Sequence, residues 1–337
     1  MAHESHIVAA DAAGIAAAVD VLRAGGLVAV PTETVYGLAA RADDGRAVAG
    51  IYAAKGRPSF NPLIVHVADL AQAETLALFS PLARSLAAQF WPGALTLVLP
   101  LRDGAAVAGL VTAGLATLAL RCPAHPVMQA LIAAVGPLAA PSANASGRIS
   151  PTRATHVAGS LPGMMVLDAG PCAAGVESTI VAVEAEGWRL LRAGAVAVED
   201  IVSVAGQPFT PPDQVRARLR ASAESPSPPG SSPGQAAGGE GIVAPGMMAS
   251  HYAPNQPVRL EARTADAPEF HIGFGPVAGD ANLSPTGDLT EAAARLFDLL
   301  HIAEASGRAA IAVAPVPRHG LGRAINDRLA RAAAPRG

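Results

Sequence analysis

Leu27-Val28-Ala29-Val30-Pro31-Thr32-Glu33-Thr34-Val35-Tyr36-Gly37 is the stretch that sets the fold class. Leu27 to Val30 is a short apolar run, the pattern of a buried strand, and Pro31 closes it. A run of polar residues follows immediately, where the strand has ended. Upstream, Ala10 to Ala24 predicts a helix that Gly25-Gly26 stops. The same alternation continues downstream. Further strands are expected at Leu63 to His66, Leu95 to Leu99, Thr117 to Arg121, Leu138 to Ala140, Met165 to Asp168, Ser178 to Val183 and Trp188 to Arg192. Helices are expected at Ala71 to Ala77, Pro81 to Phe90 and Pro126 to Val135, with Pro81 suited to a first turn that needs no amide donor. This is an α/β layout with a mixed sheet.

A chain of 337 residues exceeds one ordinary hydrophobic core. The composition breaks at Ser222 to Gly241, almost wholly Ser, Pro, Gly, Ala and Glu, which cannot bury a core and reads as a linker. We therefore expect a first domain over 1–205, a linker over 206–254 and a small α/β domain over 255–337. That domain should hold strands at Val258 to Leu260, His271 to Phe274 and Ala310 to Val313. One helix should place Leu289, Ala292, Ala293, Leu296, Phe297 and Leu300 on a single face, begun by a capping box of Asp288 and Glu291.

The net charge of −3 and pI of about 6.3 argue against a wide nucleic-acid footprint, which would be basic. Cys122 and Cys172 are too few for a disulfide framework, which implies a reducing compartment. The alanine-rich start is broken by Asp11 and Asp20 and has no basic leader, so no signal peptide is expected. The uncharged stretch Gly104 to Leu120 is shorter than the roughly 20 apolar residues of a membrane span. Of 24 basic residues one alone is a lysine, Lys55. A compact ammonium surviving in an arginine-biased chain marks a candidate site where the planar guanidinium fork would not fit, with retention on a solvated face as the alternative.

The Walker loop, the dinucleotide glycine fingerprint, the nucleophile elbow and the zinc-protease helix are all absent from the sequence. Any nucleotide must therefore be held by side-chain cations and scattered amides. Polar residues gather at strand ends, where α/β sheets place ligands. Four clusters stand out: Pro31 to Gly37; Lys55-Gly56-Arg57-Pro58 with Asn61 to His66; Arg121 with Pro141-Ser142-Ala143-Asn144; and Gly175 to Thr179 closed by Arg192. Each has a plainer reading. His66 ends an apolar strand and could be a core histidine. Thr32 and Thr34 alternate as in an ordinary strand. Ser142 and Asn144 could cap a turn. Glu177 reads as a helix cap and is left out of the site. Arg216, Arg218 and Arg220 scatter around a helix and read as solvated linker.

Together these clusters resemble the threonylcarbamoyl-AMP synthases, in the long form that joins a YrdC-type catalytic domain to a C-terminal extension. The resemblance runs from Ala10 to Val196 and resumes at His251-Tyr252-Ala253-Pro254. It implies an open, twisted mixed sheet with a deep cationic cavity, beside a small Rossmann-like α/β domain. It implies ATP-dependent synthesis of threonylcarbamoyl-adenylate from L-threonine and bicarbonate with release of pyrophosphate, a cytoplasmic step in tRNA modification. Thr34, His66, Arg121, Ala140 and Ser178 would line the threonine side. Arg57, Asn61, Thr117, Ser142, Asn144, Ser150, Arg192 and Tyr252 would face ATP. Lys55 and Arg57 would be catalytic, with Lys55 between the substrates, against bicarbonate or phosphate. Mg²⁺ would bridge the phosphates without a protein metal site, and no general base is assigned.

The implied partners are threonine, bicarbonate, ATP and downstream threonylcarbamoyl-transfer proteins, with weak or indirect tRNA contact and no membrane. The segment ending His251-Tyr252 would act as a lid. Met248-Ala249-Ser250 depart from the basic and aromatic residues of some relatives. An RNA- or ribosome-binding factor and a carbamoyl-transfer module are the competing readings. The acidic pI counts against the first and the lack of zinc-finger and acylphosphatase parts against the second.

Overall fold

A computed structural model describes residues 6–209 and 251–335. The first domain is built on ten strands: β1 (His6–Ala9), β2 (Val28–Val30), β3 (Gly37–Arg41), β4 (Ile64–His66), β5 (Leu95–Pro100), β6 (Thr117–Arg121), β7 (Leu138–Ala139), β8 (Met165–Asp168), β9 (Thr179–Glu184) and β10 (Gly187–Arg192). They form one sheet in the order β1-β8-β2-β3-β7-β4-β6-β5-β9-β10. Parallel pairs such as β4 with β6 and β5 with β9 alternate with antiparallel ones such as β5 with β6, so the sheet is mixed as expected.

Register explains how this sheet makes a site. Ile64 pairs with Ala119, His66 with Arg121, Val98 with Ala119 and with Ala182, and Thr96 with Ile180. Side chains alternate along a strand, so these residues share one face. The other face carries Val65, Leu97, Leu99, Leu118, Leu120, Val181 and Val183 into the main core. The helix Pro81–Phe90, with Leu86 and Ala87 buried, belongs to the same core. One face thus packs into the main core, and the end of the other that bears Ile64, His66 and Arg121 floors a pocket.

Several short or weakly patterned elements escaped the sequence reading, β3 and the helix Gly45–Lys55 among them. β3 is Gly-Leu-Ala-Ala-Arg, which has almost no β-branched or aromatic content to signal a strand. The helix Gly45–Lys55 opens on Asp44, whose carboxylate accepts the amides of Arg46 and Ala47 at 2.9 and 3.0 Å, and closes on Gly56 at φ 58°. It places Lys55 at its last residue. The helix expected over Ala71 to Ala77 is only Leu70–Glu74, because the chain turns at Thr75 to bring Ala77 against Leu101. Thr32 and Thr34 lie in a turn rather than a strand: the Thr32 hydroxyl accepts both the Thr34 and Val35 amides, at 3.1 and 3.2 Å. The uncharged stretch Gly104 to Leu120 divides into the short helix Gly109–Thr112 and the start of β6. Among the described residues no helix is long and apolar enough to cross a membrane.

The C-terminal unit has β11 (Val258–Arg259), β12 (Glu269–Gly273), β13 (Ala281–Asn282) and β14 (Ala310–Val313), all parallel in the order β11-β14-β12-β13. Its long helix Leu289–Ala305 buries the face the sequence indicates, apart from half-buried Leu289. The capping box is modified. Asp288 accepts the Glu291 amide at 2.7 Å, but the Glu291 carboxylate takes the Ser284 hydroxyl at 2.6 Å, and Ser284 in turn accepts the Asp288 amide. The final helix Gly322–Ala333 was also missed; it turns Ala324, Ile325, Arg328, Leu329 and Ala332 inward.

The two units share a core, since Val35, Ile149 and Val176 of the first cluster with Tyr252, Phe297 and Leu300. Ion pairs rim it: Arg153 with Asp298, Arg148 with Glu304 and Arg323 with Glu199. Residues 210–250 of the expected linker, including Arg216, Arg218, Arg220 and Met248-Ala249-Ser250, lie outside the described residues.

Candidate active site

The pocket sits on that second sheet face, at the end where β4 and β6 present His66 and Arg121 and where Ser178 leads into β9. Its cavity of about 50 Å³ is lined by Thr34, Val35, Arg57, Ile64, His66, Arg121, Ala140, Pro141, Ser142, Glu177, Ser178, Arg192, His251 and Tyr252. Nine of the residues the resemblance implicated are among them. Beyond Arg121 the same face turns apolar through Ile64, Val98, Ala119, Ile180 and Ala182. It ends at a second cavity of about 180 Å³ that includes Thr117. Thr117 is four residues from Arg121 on one strand, roughly 13 Å away at strand rise.

Arg121 donates from Nε to the Gly93 carbonyl at 3.0 Å and from Nη1 to Thr34 Oγ1 at 2.9 Å. Its Nη2 lies 2.6 Å from Glu33 Oε1. Burial alone would raise the Glu33 carboxyl, but the Arg121 charge holds it below the usual range. Burial, then Arg121, pushes His66 down to about 3, so the ring is neutral at physiological pH and a poor general base there. Its Nδ1 is buried with no hydrogen-bond partner among the described residues.

Arg57 is held by Asn61: Nη2 donates to Asn61 Oδ1 at 2.6 Å and to the Pro62 carbonyl at 2.9 Å. Burial lowers this guanidinium to about 10, which leaves it charged. Arg192 donates to the Ser178 carbonyl and hydroxyl at 2.9 and 3.2 Å, and Ser178 Oγ lies 2.7 Å from Thr96 Oγ1. Asn61 thus acts on the site by aiming Arg57.

Lys55 is buried, and its ammonium donates to the Ser142 carbonyl at 2.5 Å and to the Asn144 carbonyl. It clamps the loop that carries Ser142 rather than lining the cavity. Burial, with Arg57 nearby, lowers it well below an ordinary lysine. Asn144 is a turn residue: its Nδ2 donates to the Ala145 and Arg148 carbonyls at 2.8 and 3.0 Å. Ser150 is wholly buried, and its hydroxyl is given to Glu177 Oε1 at 2.5 Å.

Glu177 is therefore a pocket residue, not the helix cap the sequence suggested. Its second oxygen accepts Arg328 Nε at 3.0 Å from the C-terminal unit. No local signal marked this pair, because the partners are 151 residues apart. The roof is His251-Tyr252. The Tyr252 backbone is left-handed at φ 63°, and its ring lies 5.5 Å from Phe297 and under the Arg328 guanidinium at 5.3 Å. The His251 amide bonds the Arg331 carbonyl and the Ala253 amide the Gly147 carbonyl, so the roof is tied to both units. Burial drives His251 to about 3.

No cluster of three or more His, Cys, Asp or Glu suited to a metal occurs among the described residues. The site's two carboxylates, Glu33 and Glu177, already face arginines. A sheet face bearing buried cations at one end and an apolar floor beyond, roofed from a second domain, defines a two-domain enzyme for small anionic substrates.

Comparison with known proteins sharpens this class. A family model for the Sua5, YciO and YrdC proteins, described as telomere recombination, matches residues 20–194. The threonylcarbamoyl-AMP synthase C-terminal domain model matches residues 196–334. The Pyrococcus abyssi threonylcarbamoyl-AMP synthase is 39% identical over 333 residues, 92% of this chain and 91% of that one. The Bacillus subtilis enzyme is 46% identical over 250 residues, 73% of this chain and 66% of that one. The crystal structure of P. abyssi Sua5 complexed with L-threonine superposes with a TM-score of 0.81 at 35% identity, covering 98% of this chain and 96% of that one. The chain belongs to the threonylcarbamoyl-AMP synthase family.

Proposed function

We propose that the pocket between Arg121 and Arg192 is where this chain joins L-threonine, bicarbonate and ATP into threonylcarbamoyl-adenylate, the activated intermediate for tRNA modification. The observation that carries this reading is the gathering of Arg57, Arg121 and Arg192 around one cavity, with Lys55 buried directly behind its Ser142 wall.

The Glu33 carboxylate against Arg121 supports a carboxylate site there, which the threonine carboxylate takes by bidentate donation. Neutral His66 and the Ser178 hydroxyl then face the amine. The amine nitrogen attacks the bicarbonate carbon and water leaves, giving a carbamate. A carbamate oxygen attacks the α-phosphorus, the bond to the β-phosphate oxygen breaks, and pyrophosphate departs. Arg57, Arg192 and the Lys55-clamped loop neutralise charge and fix geometry, which suffices where no covalent enzyme intermediate forms. The nucleoside lies along the apolar floor toward Thr117, and ATP enters with Mg²⁺ carried on its phosphates. Typical ligand pockets measure ~300–1,000 Å³, and the present cavity is about 50 Å³. The His251-Tyr252 roof must therefore lift to admit substrates and close again to keep water from the adenylate.

With a net charge of −3, tRNA contact is slight and the product passes to a separate transfer protein in the cytoplasm. The test is pyrophosphate release from ATP by the purified chain, expected only when threonine and bicarbonate are both supplied. Release that ignores threonine would overturn the reading.

A further inference from the structure

We infer that Arg328, on the last helix of the C-terminal unit, is a positioning residue for the reaction, holding Glu177 and Tyr252 so that the pocket can accept a triphosphate. This rests on the function proposed above.

Glu177 poses a physical problem for that function. It is a carboxylate on the wall of a pocket meant for polyphosphate, and like charge at short range in a poorly solvated site is strongly repulsive. The chain offsets it from outside the catalytic domain. Arg328 is completely buried and donates from Nε to Glu177 Oε2 at 3.0 Å, and from Nη1 to the Ala193 carbonyl at 2.5 Å and to Asp327 Oδ2 at 2.9 Å. Ala193 directly follows Arg192, so the same fork braces the strand end that carries a pocket cation. The face of the fork covers Tyr252, the roof residue. Glu177 in turn fixes the Ser150 hydroxyl at 2.5 Å. One guanidinium thus links the acidic wall, a cationic strand and the roof, a geometry a planar fork can satisfy and an ammonium cannot.

The groups facing Glu177 are Arg328 from the last helix, whose guanidinium also meets Asp327, Arg192 from β10, Ser150, and His251 and Tyr252 from the roof. Arg328 and then Arg192 hold its carboxyl below the usual range although burial acts to raise it. Removing Arg328 leaves a buried carboxylate whose pKa must rise. ATP should then bind better in acid, once that carboxyl is protonated.

The experiment measures ATP affinity by calorimetry, and KM and kcat by pyrophosphate release, from pH 6 to 8.5. Arg328→Gln should weaken ATP binding at least tenfold at pH 8 and by less at pH 6, chiefly through KM. Glu177→Gln in the same chain should recover most of that loss, since a neutral pair no longer repels phosphate. An ATP affinity within twofold of wild type in Arg328→Gln overturns the inference. So does a loss that is independent of pH and not rescued by Glu177→Gln. If Arg328→Gln does not fold, Arg328→Lys decides: it keeps the charge but not the fork, so ATP binding at least fivefold weaker than wild type supports the inference, and an affinity within twofold refutes it. The proposed function fails separately, if the wild-type chain itself shows no threonine-dependent pyrophosphate release.

Discussion

At the scale of single residues, the lone lysine is the clearest case of chemistry dictating identity. Lys55 ends its helix with its own side chain buried and reaches two converging carbonyls, those of Ser142 and Asn144. An ammonium has three rotatable donors on a tetrahedral centre, whereas guanidinium is a wide plane that would have to push the loop away. Lys55→Arg should therefore lower pyrophosphate release at least ~10-fold, about 1.4 kcal/mol of barrier. Thermal unfolding should change little by comparison. A rate equal to wild type would show that the loop tolerates the fork. Arg121→Lys tests the other end of the pocket: the fork now spans Gly93, Thr34 and Glu33. Losing bidentate recognition should raise KM for threonine ~10-fold or more, while KM for ATP moves less. Equal changes in both constants would argue that Arg121 does not select the carboxylate.

Among elements, the loop Gly175 to Thr179 decides whether the two units can meet. Gly175 sits at φ 68°, and a Cβ there would lie 2.4 Å from both the Cα and the carbonyl oxygen of Ala294. Gly307 has a similar φ of 72° with open space around it. Gly175→Ala should thus destabilise by about 2–5 kcal/mol, left-handed strain plus overpacking, against about 1–2 kcal/mol of left-handed strain alone for Gly307→Ala. Denaturant midpoints of the two variants measure the difference, and equal midpoints would remove the close approach as a factor. Legibility in the sequence follows the same physics. Strands rich in Leu and Val, such as β5 and β6, were visible because burial on a pleated surface demands those residues. β3 and the helix Gly45–Lys55 were not, since alanine and glycine leave little periodic contrast. Arg57, Arg121 and Arg192 stood out by their position at strand ends or in a motif cluster. Glu177 and Arg328 did not, because a contact across 151 residues exists only once the two sheets are docked.

For the whole molecule, the seam between the units makes stability depend on acid. His156 of the first unit and His301 of the second stack with ring centroids 3.8 Å apart, and His156 Nε2 lies 3.5 Å from Asp298. Burial, then the facing His301, lowers His156 to about 4; burial lowers His301 as well. Arg153, Arg148, Asp298 and Glu304 are the charged groups that surround them. In the unfolded chain both rings titrate near 6.5. Between pH 6.5 and about 4 the unfolded state therefore binds more protons than the folded one, so stability is complete above 6.5 and is lost as pH falls toward the folded value. His66 and His251, each pushed to about 3, act in the same direction from inside the pocket. Thermal unfolding between pH 7.5 and 5 should fall by several degrees, at ~2–4 °C per kcal/mol for a chain of this class. His156→Gln should flatten that slope, because a neutral amide in the stack has no proton to gain. A melting temperature constant across this range, or a slope unchanged in His156→Gln, would mean that the two units stay together for reasons other than the neutral histidine pair. The apolar contacts of Val35, Ile149 and Val176 with the second core, and the ion pairs of Arg148, Arg153, Arg323 and Arg328, would then be carrying the docking.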